Sequence, residues 1–183
     1  MNHVIMIGFM GAGKTTIGKK IAKRLEREFI DTDQWIEEKT GRIIADIFAE
    51  DGEDAFRRLE TETLRELENR QAPCVIAVGG GLPMQPENRP ILARMGTVVF
   101  LEAGTDTLVE RLKNDKTRPK LQGGDLRQRI LDLMAEREAV YCDVADLRVS
   151  TDHRGYREVV EEIVSLLREP ASSYTKQTSG SAD

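Results

Sequence analysis

A glycine-rich turn near the N-terminus constrains this chain more than any other feature. The apolar run HVIMIG at residues 3–8 leads into Gly8-Phe9-Met10-Gly11-Ala12-Gly13-Lys14-Thr15. The stretch KTTIGKKIAKRLER follows, with Ile17, Ile21 and Leu25 at a spacing of four. Strand, tight turn and amphipathic helix in that order match G-x-x-x-x-G-K-[ST] in full. The glycines let the backbone curl so that its N–H groups point inward, and the helix adds the positive end of its dipole. Such a loop holds phosphate. Gly11, Ala12, Gly13, Lys14, Thr15 and Thr16 are the expected nucleotide contacts, with Lys14 on the β- and γ-phosphates and the Thr15 hydroxyl on Mg2+. The motif alone does not separate ATPase, GTPase and kinase.

Further apolar runs lie at residues 28–30, 74–79, 98–101 and 147–150, alternating with helical patterns. Near-continuous apolar runs suit strands buried on both faces of a parallel sheet. The alternation predicts a three-layer α/β domain with a mostly parallel sheet over residues 1–169. Two segments exceed a simple crossover. Residues 31–70 hold about three helical pieces, and 113–125, KNDKTRPKLQGGD, are polar and glycine-bounded. Insertions of this kind carry substrate sites and lids. Residues 170–183 have almost no apolar content and are expected to form a disordered tail.

Bulk composition removes other classes. The 183 residues carry a formal net charge of −5, which argues against a general nucleic-acid binder. No run approaches the ~18 apolar residues of a membrane span. The first residues show no basic region or cleavage site, so a cytoplasmic protein without a signal peptide is expected. Cys74 and Cys142 are far apart, as are His3 and His153, and neither pair has metal-site spacing. A monomer is expected.

Many P-loop enzymes hold magnesium with an aspartate at the end of a second apolar strand. Here that strand, CVIAV, ends in Gly79-Gly80-Gly81, and no N-K-x-D pattern follows. The acidic substitute is Asp31-Thr32-Asp33, after the short run at 28–30. Its two carboxylates are expected to turn in different directions, one toward a metal and one toward an acceptor. The competing reading makes Asp33 a cap of the following helix. The triple glycine is either a flexible turn or a place where backbone N–H groups approach an anion closely.

With these parts in order, the chain resembles the shikimate kinase family from about residue 3 to 168. The resemblance rests on GFMGAGKTT, DTD, FRRLE (56–60), GGG (79–81), RPKL (118–121) and REAVY (137–141). It implies a five-stranded parallel sheet like that of nucleoside monophosphate kinases, with a shikimate-binding region at 31–60 and a lid at 113–125. The implied reaction is ATP-dependent phosphorylation of the shikimate 3-hydroxyl on the route to chorismate and aromatic amino acids. Lys14 and Thr15 would serve ATP and magnesium, with Asp31 helping to hold the metal. Asp33 would orient the attacking hydroxyl and take its proton. Arg57 and Arg137, with Gly79, Gly80 and Gly81, would clamp the carboxylate. Arg118 would reach the transferring phosphate from the lid, and Arg111 and Arg154 would flank the adenine.

The chemistry fits, because arginine is the planar, permanently charged fork for a carboxylate. Phosphoryl transfer needs mainly positioning and charge neutralisation. Read on its helix alone, however, Arg57 predicts an exposed salt bridge to a glutamate at helical spacing. Arg137 likewise falls where a charged surface face is expected. Trp35, Phe48 and Phe56 are expected as core or pocket wall. Lys120 departs from the family's Arg-Pro-Leu-Leu lid and would have to snorkel outward. Two rival readings stand beside this one: another small-hydroxyl kinase of the gluconate type, and a kinase-like binding module without catalysis.

Overall fold

The computed structural model describes residues 2–114 and 124–169. Five parallel strands form one sheet: β1 (His3–Ile7), β2 (Glu28–Asp31), β3 (Cys74–Ala77), β4 (Gly96–Glu102) and β5 (Leu147–Ser150). Their order is β2-β3-β1-β4-β5, so the glycine-rich strand β1 is central. All five follow the apolar runs of the sequence. Successive residues on a strand point to opposite faces, and the core divides accordingly. Val4, Met6, Val75, Ala77, Val99 and Leu101 enter one apolar layer, with Ile17 and Ile21 of helix α1 (Lys14–Leu25). Ile5, Ile7, Ile76, Val98 and Phe100 enter the other, with Leu64 and Leu67 of α4 (Gly52–Glu68).

The three helical pieces after β2 are α2 (Thr32–Thr40), α3 (Ile44–Glu50) and α4. They enclose a small apolar cluster of Ile36, Ile47 and Phe56, separate from the two sheet layers. Phe48 packs on Phe56 with ring centroids 4.8 Å apart, the core packing that is one of the two roles expected of them. Trp35 instead lies partly buried against the sheet layer of α4. This cluster packs the three helices together, and Arg57 and Glu60 of α4 reach the glycines that follow β3.

After β3 come a single 3-10 turn (Leu82–Met84) and α5 (Asn88–Met95); α6 (Thr105–Leu112) follows β4. Helices α7 (Leu126–Val144) and α8 (Tyr156–Leu166) flank β5. Arg118, Pro119 and Lys120 lie outside the described residues, as do residues 170–183, so the lid and tail expectations receive no structural account. Asp125 caps α7, accepting from the Arg127 N–H at 3.0 Å. Among the described residues no helix is long and apolar enough to cross a membrane.

Candidate active site

The loop between β1 and α1 has the backbone the motif requires. Gly8, Gly11 and Gly13 take φ values of 140°, 81° and 101°, where a side chain would be strained. Gly13 caps α1 without any side-chain bond, and the first turn of α1 holds no acidic residue. The helix therefore presents uncompensated N–H groups and positive potential to the loop. Lys14 folds back over the turn and donates to the carbonyls of Gly8 at 2.8 Å and Phe9 at 3.0 Å.

Beside this cradle, the Thr15 hydroxyl donates to Asp31 Oδ2 at 2.8 Å. The other oxygen of Asp31 accepts the Asp33 N–H at 3.1 Å, so Asp31 caps α2. The competing sequence reading gave that role to Asp33 and is corrected. The aspartates do diverge, but for a reason the sequence reading lacked. In an unbroken strand, residues two apart point the same way. Here the strand ends at Asp31 and α2 begins at Thr32, which turns Asp33 away from Thr15 toward the triple glycine.

The glycines themselves have an unexpected reason. None of the three has positive φ. At Gly79 and Gly81 side chains of the site occupy the space a Cβ would need, and at Gly80 a Cβ would be crowded. A Cβ at Gly79 would lie 2.6 Å from Glu60 Oε1 and 2.9 Å from Asp33 Oδ1. One at Gly80 would lie 3.3 Å from Arg137 Nη1 and 3.4 Å from the Tyr141 hydroxyl. One at Gly81 would overlap the guanidinium of Arg57, with Cζ at 2.6 Å. Nor is every N–H here available to an anion, since Gly79 donates its own to the buried Thr32 hydroxyl at 3.1 Å. The Tyr141 hydroxyl donates to the Gly80 carbonyl at 2.5 Å and ties this turn to α7.

The arginines converge on the same place from α4 and α7. Arg57 does make the helical salt bridges expected from its spacing, to Glu53 at 2.8 Å and Glu60 at 2.5 Å. It is not exposed, however: its side chain retains 14% of its accessible surface and that of Glu60 retains 1%. Burial works against the charge on Arg57, but the two glutamates outweigh it and hold its pKa above the ordinary value. Arg137 is buried, not on a charged surface, with its guanidinium 5.8 Å from the Phe9 ring centroid.

Glu60 is the residue the sequence reading missed. Burial pushes its pKa up to about 7; Arg57 pulls the other way, and Asp33 adds to the rise. Among the described residues, Glu60 Oε1 and Arg137 Nη1 are buried with no hydrogen-bond partner. Buried polar atoms without partners are costly, and they cluster where a ligand completes the network. The only sequence signal for Glu60 was its place three residues after Arg57 in FRRLE.

On the other side of the loop, Arg111 and Arg154 line one cleft with Asp106, Thr107, Glu110, Thr151 and His153. Arg111 donates to the carbonyls of Gly11 at 3.0 Å and Ala12 at 3.3 Å, bracing the phosphate loop. Arg154 is held by Glu158 at 2.8 Å and Glu162 at 2.6 Å on α8.

The comparisons with known proteins agree with this geometry. A family model described as shikimate kinase matches residues 10–168. A shikimate kinase of Pelotomaculum thermopropionicum is 44% identical over 169 residues, covering 92% of this chain and 97% of its own length. Another, of Chromohalobacter salexigens, is 46% identical and covers 88% of this chain and 89% of its own. Among solved structures, the shikimate kinase of Acinetobacter baumannii in complex with shikimate superposes with a TM-score of 0.87 at 40% identity, covering 91% of this chain and 93% of that one. A gluconokinase from Sinorhizobium meliloti 1021, at 17% identity and a TM-score of 0.61, shares the fold alone. With a family model spanning most of its length and relatives above 40% identity, the chain belongs to the shikimate kinase family.

Proposed function

We propose that this chain transfers the γ-phosphoryl group of ATP to the 3-hydroxyl of shikimate through the residues gathered around the triple glycine. One observation carries this reading: a buried arginine, Arg137, and a largely enclosed one, Arg57, come from different helices to meet at glycines that leave room for them, beside the phosphate loop. Arg57 and Arg137 receive the acceptor's carboxylate as charge-assisted forks. Asp33 accepts a hydrogen bond from the attacking hydroxyl and takes its proton as the O–P bond forms. Lys14 leaves its two loop carbonyls for the phosphates, and the N–H groups of Gly11 to Thr16 hold them in place.

Mg2+ fits the pair of oxygen donors at Thr15 and Asp31. It is a hard cation held through few protein oxygens, with nucleotide phosphates and water completing its shell. Bound there, it would supply charge neutralisation for the phosphoryl transfer. The assignment of Arg118 to the transferring phosphate, and of Arg111 and Arg154 to the adenine, rests on the family resemblance and, for the latter pair, on the shared cleft. A single domain over 1–169, a monomeric state and a cytoplasmic location complete the proposal.

The test is ADP release coupled to a spectrophotometric readout, with shikimate, with gluconate and with neither. Turnover that depends on shikimate is expected. Equal ADP release in all three arms, or release driven by gluconate alone, would overturn the reading.

A further inference from the structure

We infer that Glu60 takes up a proton when the acceptor's carboxylate docks on Arg57 and Arg137, so that acceptor binding is coupled to protonation of a buried glutamate. The inference rests on the acceptor assignment above. Its basis is charge balance in a closed space. Before the acceptor arrives, the largely enclosed Arg57 and the buried Arg137 face the carboxylates Glu60 and Asp33 across the glycine turn. The groups facing Glu60 are Asp33 from α2, Arg57 and the rim residue Glu53 from its own helix, and Arg137 and the Tyr141 hydroxyl from α7. One oxygen of Glu60 is held by Arg57 at 2.5 Å. The other, Oε1, has no partner among the described residues and shares the Gly79 surface with Asp33 Oδ1.

An incoming carboxylate adds a third negative group and draws on the same arginine that Glu60 uses. Two anions sharing a low-dielectric site with a limited cation supply cannot both keep their charge at low cost. Three exits exist: an anion leaves, a cation arrives, or a proton binds. The acceptor's carboxylate cannot easily take the proton, because its ordinary range lies far below neutral and it gains two arginine forks. Asp33 borders Glu60 but is needed as the acceptor of the hydroxyl proton. Glu60 is fully buried and already close to its protonation midpoint near neutral pH, so it gives way first. Once neutral, it still accepts from Arg57 and acquires an O–H donor. The proton comes from solvent, and no other bond changes.

The sign follows from linkage. A group whose pKa rises on binding makes affinity greatest below its free-state value, with loss as pH rises through it. Shikimate should therefore bind more weakly as pH increases above 7, by up to about tenfold per unit. The experiment is isothermal titration of the nucleotide-free protein with sodium shikimate at pH 7.5 in phosphate and in Tris, whose ionisation heats differ. We expect a net uptake of roughly 0.5–0.8 proton per shikimate bound. Glu60→Gln should lose that uptake and give an affinity flat between about pH 6.5 and 8.5. The wild-type affinity profile over the same range stands alone if the variant does not fold.

Buffer-independent heat together with a pH-independent wild-type affinity would overturn the coupling, as would uptake unchanged in Glu60→Gln. Arg57→Ala separates the two layers of the argument. If it leaves shikimate affinity intact, the acceptor assignment falls and the coupling with it. If affinity drops as expected but wild type takes up no proton, only the coupling falls.

Discussion

The phosphate loop and the proposed acceptor pocket are both built to receive anions, and they are built by opposite means. The loop uses backbone: three glycines at positive φ, an uncapped helix start and one lysine, all within eight consecutive residues. The pocket uses side chains: Asp33 from α2, Arg57 and Glu60 from α4, Arg137 and Tyr141 from α7, gathered around a turn after β3. The same residue type serves each differently. In the loop, glycine supplies a dihedral angle; in the pocket, it supplies space. A backbone site is local and can be read as a motif, whereas a side-chain site depends on distant elements arriving together.

The strongest way to break this division is Asp33→Asn. Turnover should fall by ~10²-fold or more while nucleotide binding stays intact, as expected for a group that positions or accepts the hydroxyl proton. Nucleotide affinity measured by titration would fall as well if the two regions were not separable. Next in size, Arg57→Ala or Arg137→Ala should cost on the order of 2–4 kcal/mol of shikimate binding with ATP affinity unchanged. Gly81→Ala sharpens the point about space. Its methyl group must displace the Arg57 guanidinium, at a cost of ~1–3 kcal/mol in acceptor binding without any loss of charge. A Gly81→Ala protein with wild-type shikimate affinity would show that the glycine is not there for room.

Asp31 sits on the border between the regions. Asn keeps the ability to cap α2, so Asp31→Asn isolates the charge beside Thr15. The magnesium concentration for half-maximal activity should rise about tenfold, and excess magnesium should restore part of the rate. No rescue would move Asp31 from the metal to the acceptor side.

The smallest effect should come from His3, at the far end of β1 from the loop. It accepts the Cys74 N–H at Nδ1, 3.0 Å, while its buried Nε2 lacks a partner among the described residues. Burial, followed by nearby positive charge, lowers its pKa below 6.5. The neutral form is therefore the folded form's preference: its stabilisation is full above pH 6.5 and is lost as pH falls toward the depressed value. Urea midpoints measured from pH 7.5 down to 5.5 should drop less in His3→Gln than in wild type, with shikimate affinity untouched. A change in shikimate affinity would mean that orphaned polar atoms outside the pocket also feed it.

Sequence alone determined much of this protein. Apolar runs of buried parallel strands and one contiguous motif specified a mostly parallel sheet and the phosphate cradle, because backbone geometry and apolar periodicity are local properties, whereas the central position of β1 emerged only in the sheet's strand order. Motif order also carried Asp31, Asp33, Arg57 and Arg137 to their positions. What those residues touch was decided only in three dimensions. The i,i+3 pair of Arg57 and Glu60 reads as a solvated salt bridge on a helix surface, and only packing of α4 under the β3 turn buries it. The triple glycine reads as a flexible turn or as backbone opened to an anion until the side chains crowding its missing Cβ positions are seen. Burial of charge and competition for space are properties of elements far apart in the chain, and a linear pattern does not contain them.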